Sequence, residues 1–242
     1  MSPNLVFASG VLVPQRLAKF EYFRGLSTLY PPETTLFPAV SPVGGVQVRA
    51  HQLAEQIARK FPTGEVHIIA HSMGGLDARC LLAKNLSGLA SGGRVVSLST
   101  IATPHHGSSV ANLLLVGLEF PFHSVLGQFV NLEAHALLDL TTEAAPGFQE
   151  EDPVPDVRYF AYAASGPVQK SLSLTHDFIK MREGDNDGLV SVTSATWPDH
   201  LSEAPWQADH FTETGYDLTR PDFTTTFPYV DAIARVVQRA TS

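Results

Sequence analysis

Cysteine is nearly absent from this chain: Cys80 is the single one in 242 residues. No disulfide can therefore form within it, and the fold makes no demand on an oxidising compartment. Basic clusters are missing as well. With 16 lysines and arginines against 24 aspartates and glutamates, the formal net charge is −8. That balance argues against a nucleic-acid partner or an anionic-membrane surface, because both are held by clustered cations. No apolar run approaches a membrane span, and the opening MSPNLVFASG has neither a basic leader nor an apolar core of signal length. As written, the sequence is expected to be soluble and cytoplasmic, with no integral membrane segment. Repeats and low-complexity tracts are lacking too, and the length suits one domain, 1–242. Cys80 reads as a small buried hydrophobe.

Strand-like and helix-like segments alternate, which predicts an α/β fold with a mostly parallel sheet and crossover helices on both faces. Leu5 to Ala8 is the first expected strand. Thr35 to Ser41 is a second, placed near an edge because Pro38 removes a ladder donor. Val46 to Phe61 is a helix with Val46, Leu53, Ile57 and Phe61 on one face, and its charged residues read as the solvated face. Glu65 to Ala70 and Arg94 to Ala102 are apolar enough to be buried strands. Val157 to Ala163 and Tyr229 to Ala240 supply a later strand and a closing helix. The alternation lapses between about 108 and 155, where Ala111 to Val130 is apolar with little polar relief. Such a stretch is either a core helix pair or a mobile cap over a hydrophobic site. Gly117, Pro121 and Gly127 break it into short pieces, so a cap or lid insertion over 108–155 is expected.

The residues IIAHSMGG, Ile68 to Gly75, carry the chemistry. A serine on a sharp turn between a strand and a helix is exposed and strained, and the turn admits only small neighbours. Ala70-His71-Ser72-Met73-Gly74 is that pattern, with alanine for the first glycine, followed by helix formers through Leu86. Ser72 is thus the expected nucleophile. A serine alcohol needs a base, and the base needs a carboxylate to hold its tautomer. Asp185 and Asp187 are both offered by EGDNDGLVSV; Asp187 precedes a glycine and a strand-like LVSV. Ten histidines leave the base open among His210, His200 and His176. His71, next to the serine, reads as a packed or hydrogen-bonded residue.

In order along the chain, FASGVL, EYFRGL (Glu21 to Leu26), AHSMGGLDAR (Ala70 to Arg79), IATPHHGS (Ile101 to Ser108), NDGLVSV (Asn186 to Val192) and ADHFTETG (Ala208 to Gly215) resemble the motifs of the bacterial triacylglycerol lipases and esterases of the α/β-hydrolase fold. The resemblance implies Ser72 as nucleophile, Asp187 as triad acid and His210 as base. It also implies an oxyanion hole from the backbone N–H groups of Val11 and Met73. His105 and His106 then fall in a loop near the site, as hydrogen-bonded turn residues. The implied activity is cofactor-free hydrolysis of esters with hydrophobic acyl groups through an acyl-enzyme, the partners being a small-molecule or lipid ester and, through the cap, transiently a lipid interface. An acyltransferase or a polyester hydrolase with the same triad is the alternative, and a non-catalytic lipid-binding module the reading from another class.

Departures from the family are informative. Ser9 stands where histidine commonly precedes the glycine of the first loop. Secreted relatives hold a structural calcium through an aspartate two residues after the base; here Thr212 stands there, and the spacing-matched upstream partner falls at Pro167. No other histidine, cysteine or carboxylate set has metal-site spacing, so no metal or cofactor is expected. A chelator should then leave the melting temperature unchanged, and a fall on EDTA treatment would contradict this.

Overall fold

The structure, a computed structural model, describes residues 3–11, 16–17, 20–115, 134–149 and 153–242. Residues 116–133, most of the apolar stretch expected to form the cap, lie outside them. Seven strands are described: β1 Asn4–Ala8, β2 Arg16–Leu17, β3 Phe20–Glu21, β4 Thr35–Leu36, β5 Val66–His71, β6 Val95–Ile101 and β7 Arg158–Tyr162. The helices are α1 Leu26–Leu29, α2 Val46–Lys60, α3 Met73–Ala83, α4 Ser109–Leu115, α5 Ala134–Asp139, α6 Ala145–Gln149, α7 Ser173–Arg182, α8 Val192–Ala195 and α9 Tyr229–Thr241. Five strands form one sheet in the order β4-β1-β5-β6-β7, and every pairing in it is parallel. A separate antiparallel pair joins β2 to β3.

Burial on both faces explains why the central strands read as continuous apolar runs. All six residues of β5 are buried, and they alternate between two cores. Ile68 and Ala70 face a cluster with Leu53 and Ile57 of α2 and Leu76 and Leu81 of α3. Ile69 faces the opposite cluster, with Leu26 of α1 and Ile233 and Val236 of α9. An isolated helix of α2's length is marginal in water. Val46, Leu53 and Ile57, each at most 1% exposed, stabilise its docking by roughly 1.5–3 kcal/mol apiece. Its first amide, on Val46, donates to Asp139 Oδ2 at the end of α5 (2.7 Å), a side-chain cap borrowed from 93 residues away.

Two sequence expectations change. The strand foreseen over Thr35 to Ser41 shrinks to Thr35–Leu36 at the sheet edge. Beyond Pro38 the chain is tied to α2 instead, with Ala39 N–H donating to Gln56 Oε1 and Ser41 N–H to Gln52 Oε1. The strand-like LVSV is not a strand. Ser191 caps a one-turn helix, its hydroxyl accepting the Ser194 N–H at 3.1 Å, and four residues of alternation are too few to separate the two outcomes. Among the described residues no helix is long and apolar enough to cross a membrane.

The strand order locates the functional end. From β1 the chain moves to β4 on one side, and from β5 it moves to β6 on the other. A crevice therefore opens outside the carboxyl ends of β1 and β5, the kind of switch point at which open α/β sheets bind ligands. The loop Ser9-Gly10-Val11 and Ser72 stand there. The first turn of α3 is pressed onto β1: a Cβ on Gly74 would lie 2.7 Å from the carbonyl oxygens of both Ala8 and Ser9. Gly74→Ala gains helix propensity of up to about 1 kcal/mol but overpacks against rigid backbone at about 1–3 kcal/mol. The melting temperature should fall by several degrees, on the order of 2–4 °C per kcal/mol lost; a raised value would show that α3 does not depend on this approach.

Candidate active site

Ser72 joins β5 to α3 with φ 55° and ψ −134°, a left-handed conformation that a non-glycine residue adopts only where its surroundings enforce it. The enforcing bonds are visible. Ser72 N–H donates to the Ile101 carbonyl (2.9 Å), while its own carbonyl accepts the Thr103 hydroxyl (2.8 Å) and the Gly75 N–H (3.0 Å). A Cβ on Gly75 would sit 2.1 Å from Thr103 Oγ1, so the turn closes only with glycine there. Although Ser72 is the N-cap of α3, its side chain caps nothing. The hydroxyl lies instead 3.1 Å from His210 Nε2.

His210 comes from the loop after Trp206, its N–H bonded to the Asp187 carbonyl (3.1 Å) and its Nδ1 lying 2.7 Å from Asp187 Oδ2. The sequence Asn186-Asp187-Gly188 explains the presentation of that carboxylate. Asn186 Oδ1 accepts the Gly188 N–H (2.9 Å), and Gly188 has φ 98°, a left-handed value that suits glycine. Asp187 Oδ1 accepts the N–H groups of Leu189 and Val190 at 2.8 and 2.7 Å, leaving Oδ2 for the imidazole. An acceptor on Nδ1 places the ring proton there and leaves Nε2 bare toward the serine. Such a line can deprotonate an alcohol and return the proton to a leaving group. Ser72, Asp187 and His210 are 8%, 1% and 7% exposed.

The other candidate histidines stand apart. His200 is exposed, and His176 is bonded to Asp177 on α7. His105 is fully buried, with Arg79 Nη1 at 3.1 Å from its Nδ1 and Thr100 Oγ1 at 3.1 Å from its Nε2. Burial, with Arg79 adding, pushes its pKa well below the usual range, so the ring is neutral and accepts from Arg79. Next to it, His106 N–H donates to Ser194 Oγ. Cys80 is buried in α3. His71, His210 and Glu213 bring potential metal-ligand atoms within 4.8 Å of one another, but His71 is already bonded to Tyr22 and Glu213, an arrangement of hydrogen bonds. Thr212, two residues after His210, has its Oγ1 bonded to the Asp209 N–H and carbonyl (2.8 and 3.0 Å). The Asp209 carboxylate accepts the N–H of Gln169, Phe211 and Thr212 and the Gln169 amide, which ties the His210 loop to the Gln169 loop.

Met73 N–H opens α3 and has no intrahelical acceptor by the geometry of a helix start. Val11 is half-buried and packs on the core cluster that contains Met73. The residue that shapes this loop is Arg49, which the sequence places on a solvated helix face and the structure buries completely. Its Nη2 donates to the carbonyls of Ser9 (2.7 Å) and Gly10 (3.2 Å), its Nη1 to that of Ser41 (2.6 Å), and its Nε to Asp77 Oδ2 (2.9 Å). Amphipathic spacing could not reveal this, because the acceptors come from a remote loop and from α3. Burial pushes the Asp77 carboxyl up to about 6, against the pull of Arg49, so it is ionised at neutral pH. Asp77→Asn keeps the shape and strands the arginine as a buried unpaired cation, which costs about 3–5 kcal/mol. Urea unfolding at pH 7.5 measures the loss, and a change below about 1 kcal/mol would show that water reaches the pair.

No protein-family model matches the chain. A curated relative, Triacylglycerol lipase 2 of Saccharomyces cerevisiae, is 29% identical over 79% of this chain, which spans 64% of that relative's length. Among solved structures, the mature lipase BlEst2 of Bacillus licheniformis superposes with a TM-score of 0.72 at 25% identity, covering 91% of this chain and 90% of that one. The Staphylococcus hyicus lipase gives 0.73 at 18% identity over 99% and 96% of the two chains, and the metagenomic carboxyl esterase MGS0156 gives 0.70 at 21% over 98% and 76%. With a parallel sheet of this order, a strained serine turn after β5 and these structural neighbours, the chain is an α/β-hydrolase-fold protein related to the lipases and esterases.

Proposed function

We propose that the protein is a serine carboxylic ester hydrolase acting on esters with hydrophobic acyl groups. The single observation that carries the reading is the buried line from Ser72 Oγ through His210 to Asp187, at 3.1 and 2.7 Å, set on a strained strand-to-helix turn. Relatives named as lipases and an esterase support it. Ser72 Oγ attacks the ester carbonyl as His210 Nε2 takes its proton, and Asp187 holds the imidazole and stabilises its charged form. The Val11 and Met73 N–H groups receive the oxyanion. The alcohol departs with the proton from His210; a water then gives a proton to the same nitrogen as it attacks the acyl-enzyme, and His210 returns that proton to Ser72 Oγ as the acyl–oxygen bond breaks and the acid leaves.

We also propose one domain over 1–242 with a cap over 108–155. Support comes from α4, α5 and α6, which flank the apolar stretch. Asn112 on α4 bonds the amide (3.0 Å) and hydroxyl (2.7 Å) of Thr142 between α5 and α6, and Leu113 to Leu115 stay half-buried. An apolar cover suits a hydrophobic acyl chain and contact with a lipid interface.

Initial rates on para-nitrophenyl esters from acetate to palmitate, beside Ser72→Ala, test the reading. The wild type should turn over medium or long chains, and the variant should lose about 10³-fold or more in kcat while keeping its melting temperature. Folded wild-type protein inert across the series, or a variant that keeps its rate, would overturn it.

A further inference from the structure

A second line of buried polar groups lies behind the first and joins the loop after β1 to Asp187. Gly10, its N–H facing the Tyr22 hydroxyl, packs so closely there that a Cβ on Gly10 would lie 2.5 Å from that oxygen and 2.8 Å from the Ser72 Cβ. The Tyr22 hydroxyl is 2.8 Å from His71 Nδ1, and His71 Nε2 is 3.1 Å from Glu213 Oε2. The Glu213 carboxyl in turn lies against that of Asp187. Tyr22, His71 and Glu213 are 8%, 1% and 0% exposed, and His71 packs against His210 with ring centroids 4.6 Å apart and the planes tilted by 46°.

Donor counting fixes the direction of every bond. Two carboxyl groups share a hydrogen bond only if one is protonated. Asp187 already accepts from Leu189, Val190 and His210, so the proton belongs to Glu213. Consistently, Glu213 Oε1 accepts no hydrogen bond from a described residue, and burial together with Asp187 and Asp209 raises the Glu213 pKa well above the carboxylate range. With Glu213 donating to Asp187, its other oxygen must accept from His71, which puts the imidazole proton on Nε2. His71 Nδ1 is then bare and accepts the Tyr22 O–H. Burial, with His210 adding, drives the His71 pKa well down, which keeps the ring singly protonated.

We propose that Tyr22, His71 and Glu213 are positioning residues forming a one-way hydrogen-bond relay from the Gly10 amide to the Asp187 carboxylate. The relay occupies the Gly10 N–H, so that Val11 is the residue of this loop whose amide is left for an oxyanion, and it gives Asp187 a further donor that stabilises its anionic form. Successive bonds of one polarity strengthen one another, which couples the alignment of the two halves of the site. The catalytic consequence rests on the hydrolase reading above; the protonation pattern does not.

Two measurements test it on the whole protein. Long-range ¹⁵N–¹H correlation of histidine-labelled protein at pH 7.5, without substrate, should show His71 as the Nε2–H tautomer; an imidazolium or an Nδ1–H ring overturns the relay whether or not esters are hydrolysed. In kinetics, Tyr22→Phe should lower kcat by about 10- to 100-fold with KM changed less than about threefold, short of the ~10²–10³ lost with an oxyanion donor itself. Glu213→Gln, whose amide both donates and accepts, should stay within about threefold of wild-type kcat, whereas Glu213→Leu should lose about tenfold or more. Equal losses in the glutamine and leucine variants, both folded, would indicate an ionised Glu213 and overturn the proposal. Loss of ester hydrolysis in the wild type with the His71 tautomer as expected would instead sink the hydrolase reading alone.

Discussion

The site depends on one steric constraint, the near-contact of the loop after β1 with the turn after β5. A Cβ on Gly10 would lie 2.8 Å from the Ser72 Cβ and one on Gly74 2.7 Å from the carbonyl oxygens of Ala8 and Ser9, while one on Gly75 would meet Thr103 in the loop after β6. This approach lets the first turn of α3 lie against β1 and holds Ser72 at φ 55°. A sheet of purely parallel strands supplies the frame, since it puts both carboxyl ends at one edge of the layer. Everything else near the site keeps these two backbone segments from relaxing apart.

Two polar groups hold the loop after β1 from opposite directions. Arg49 takes the carbonyls of Ser9 and Gly10, and the Tyr22 hydroxyl presses on Gly10, 2.5 Å from where a Cβ would stand. Burying the Arg49–Asp77 pair is not an efficient way to stabilise a fold, because desolvation offsets most of the Coulombic gain. An apolar pair of similar volume would hold α2 to α3 at least as well, but it could not orient carbonyl groups. The placement of a full charge in the core is therefore better understood through loop geometry than through stability. The same holds for Glu213, a carboxyl group buried beside two others.

Most of the sheet was legible because burial on both faces writes a continuous apolar run into β1, β5 and β6, and the period of α2 and α9 follows from one buried stripe. The chemistry of the turns was equally local: a small-x-Ser-x-small sequence after a strand, and Asn-Asp-Gly where one residue must adopt a left-handed conformation. The errors were of another kind. Arg49 follows the polar rhythm of α2 yet points inward, since its acceptors lie 8 to 40 residues away. LVSV alternates like a strand yet turns into α8, because Ser191 is a helix cap and pairs only as an isolated bridge with Asn186 among the described residues.

The sequence by itself determined the order of elements, the strained serine turn and the residue types available for proton transfer, because each of these is set by neighbours within a few positions. Only the tertiary structure decided that His71 joins Tyr22 to Glu213 and that Arg49 is internal, and it set the distance at which His210 meets Ser72. Those contacts join residues 49 to 142 positions apart, or a helix to a remote loop, and no local periodicity encodes them. They follow from strand order, which brings distant loops to one end of the sheet.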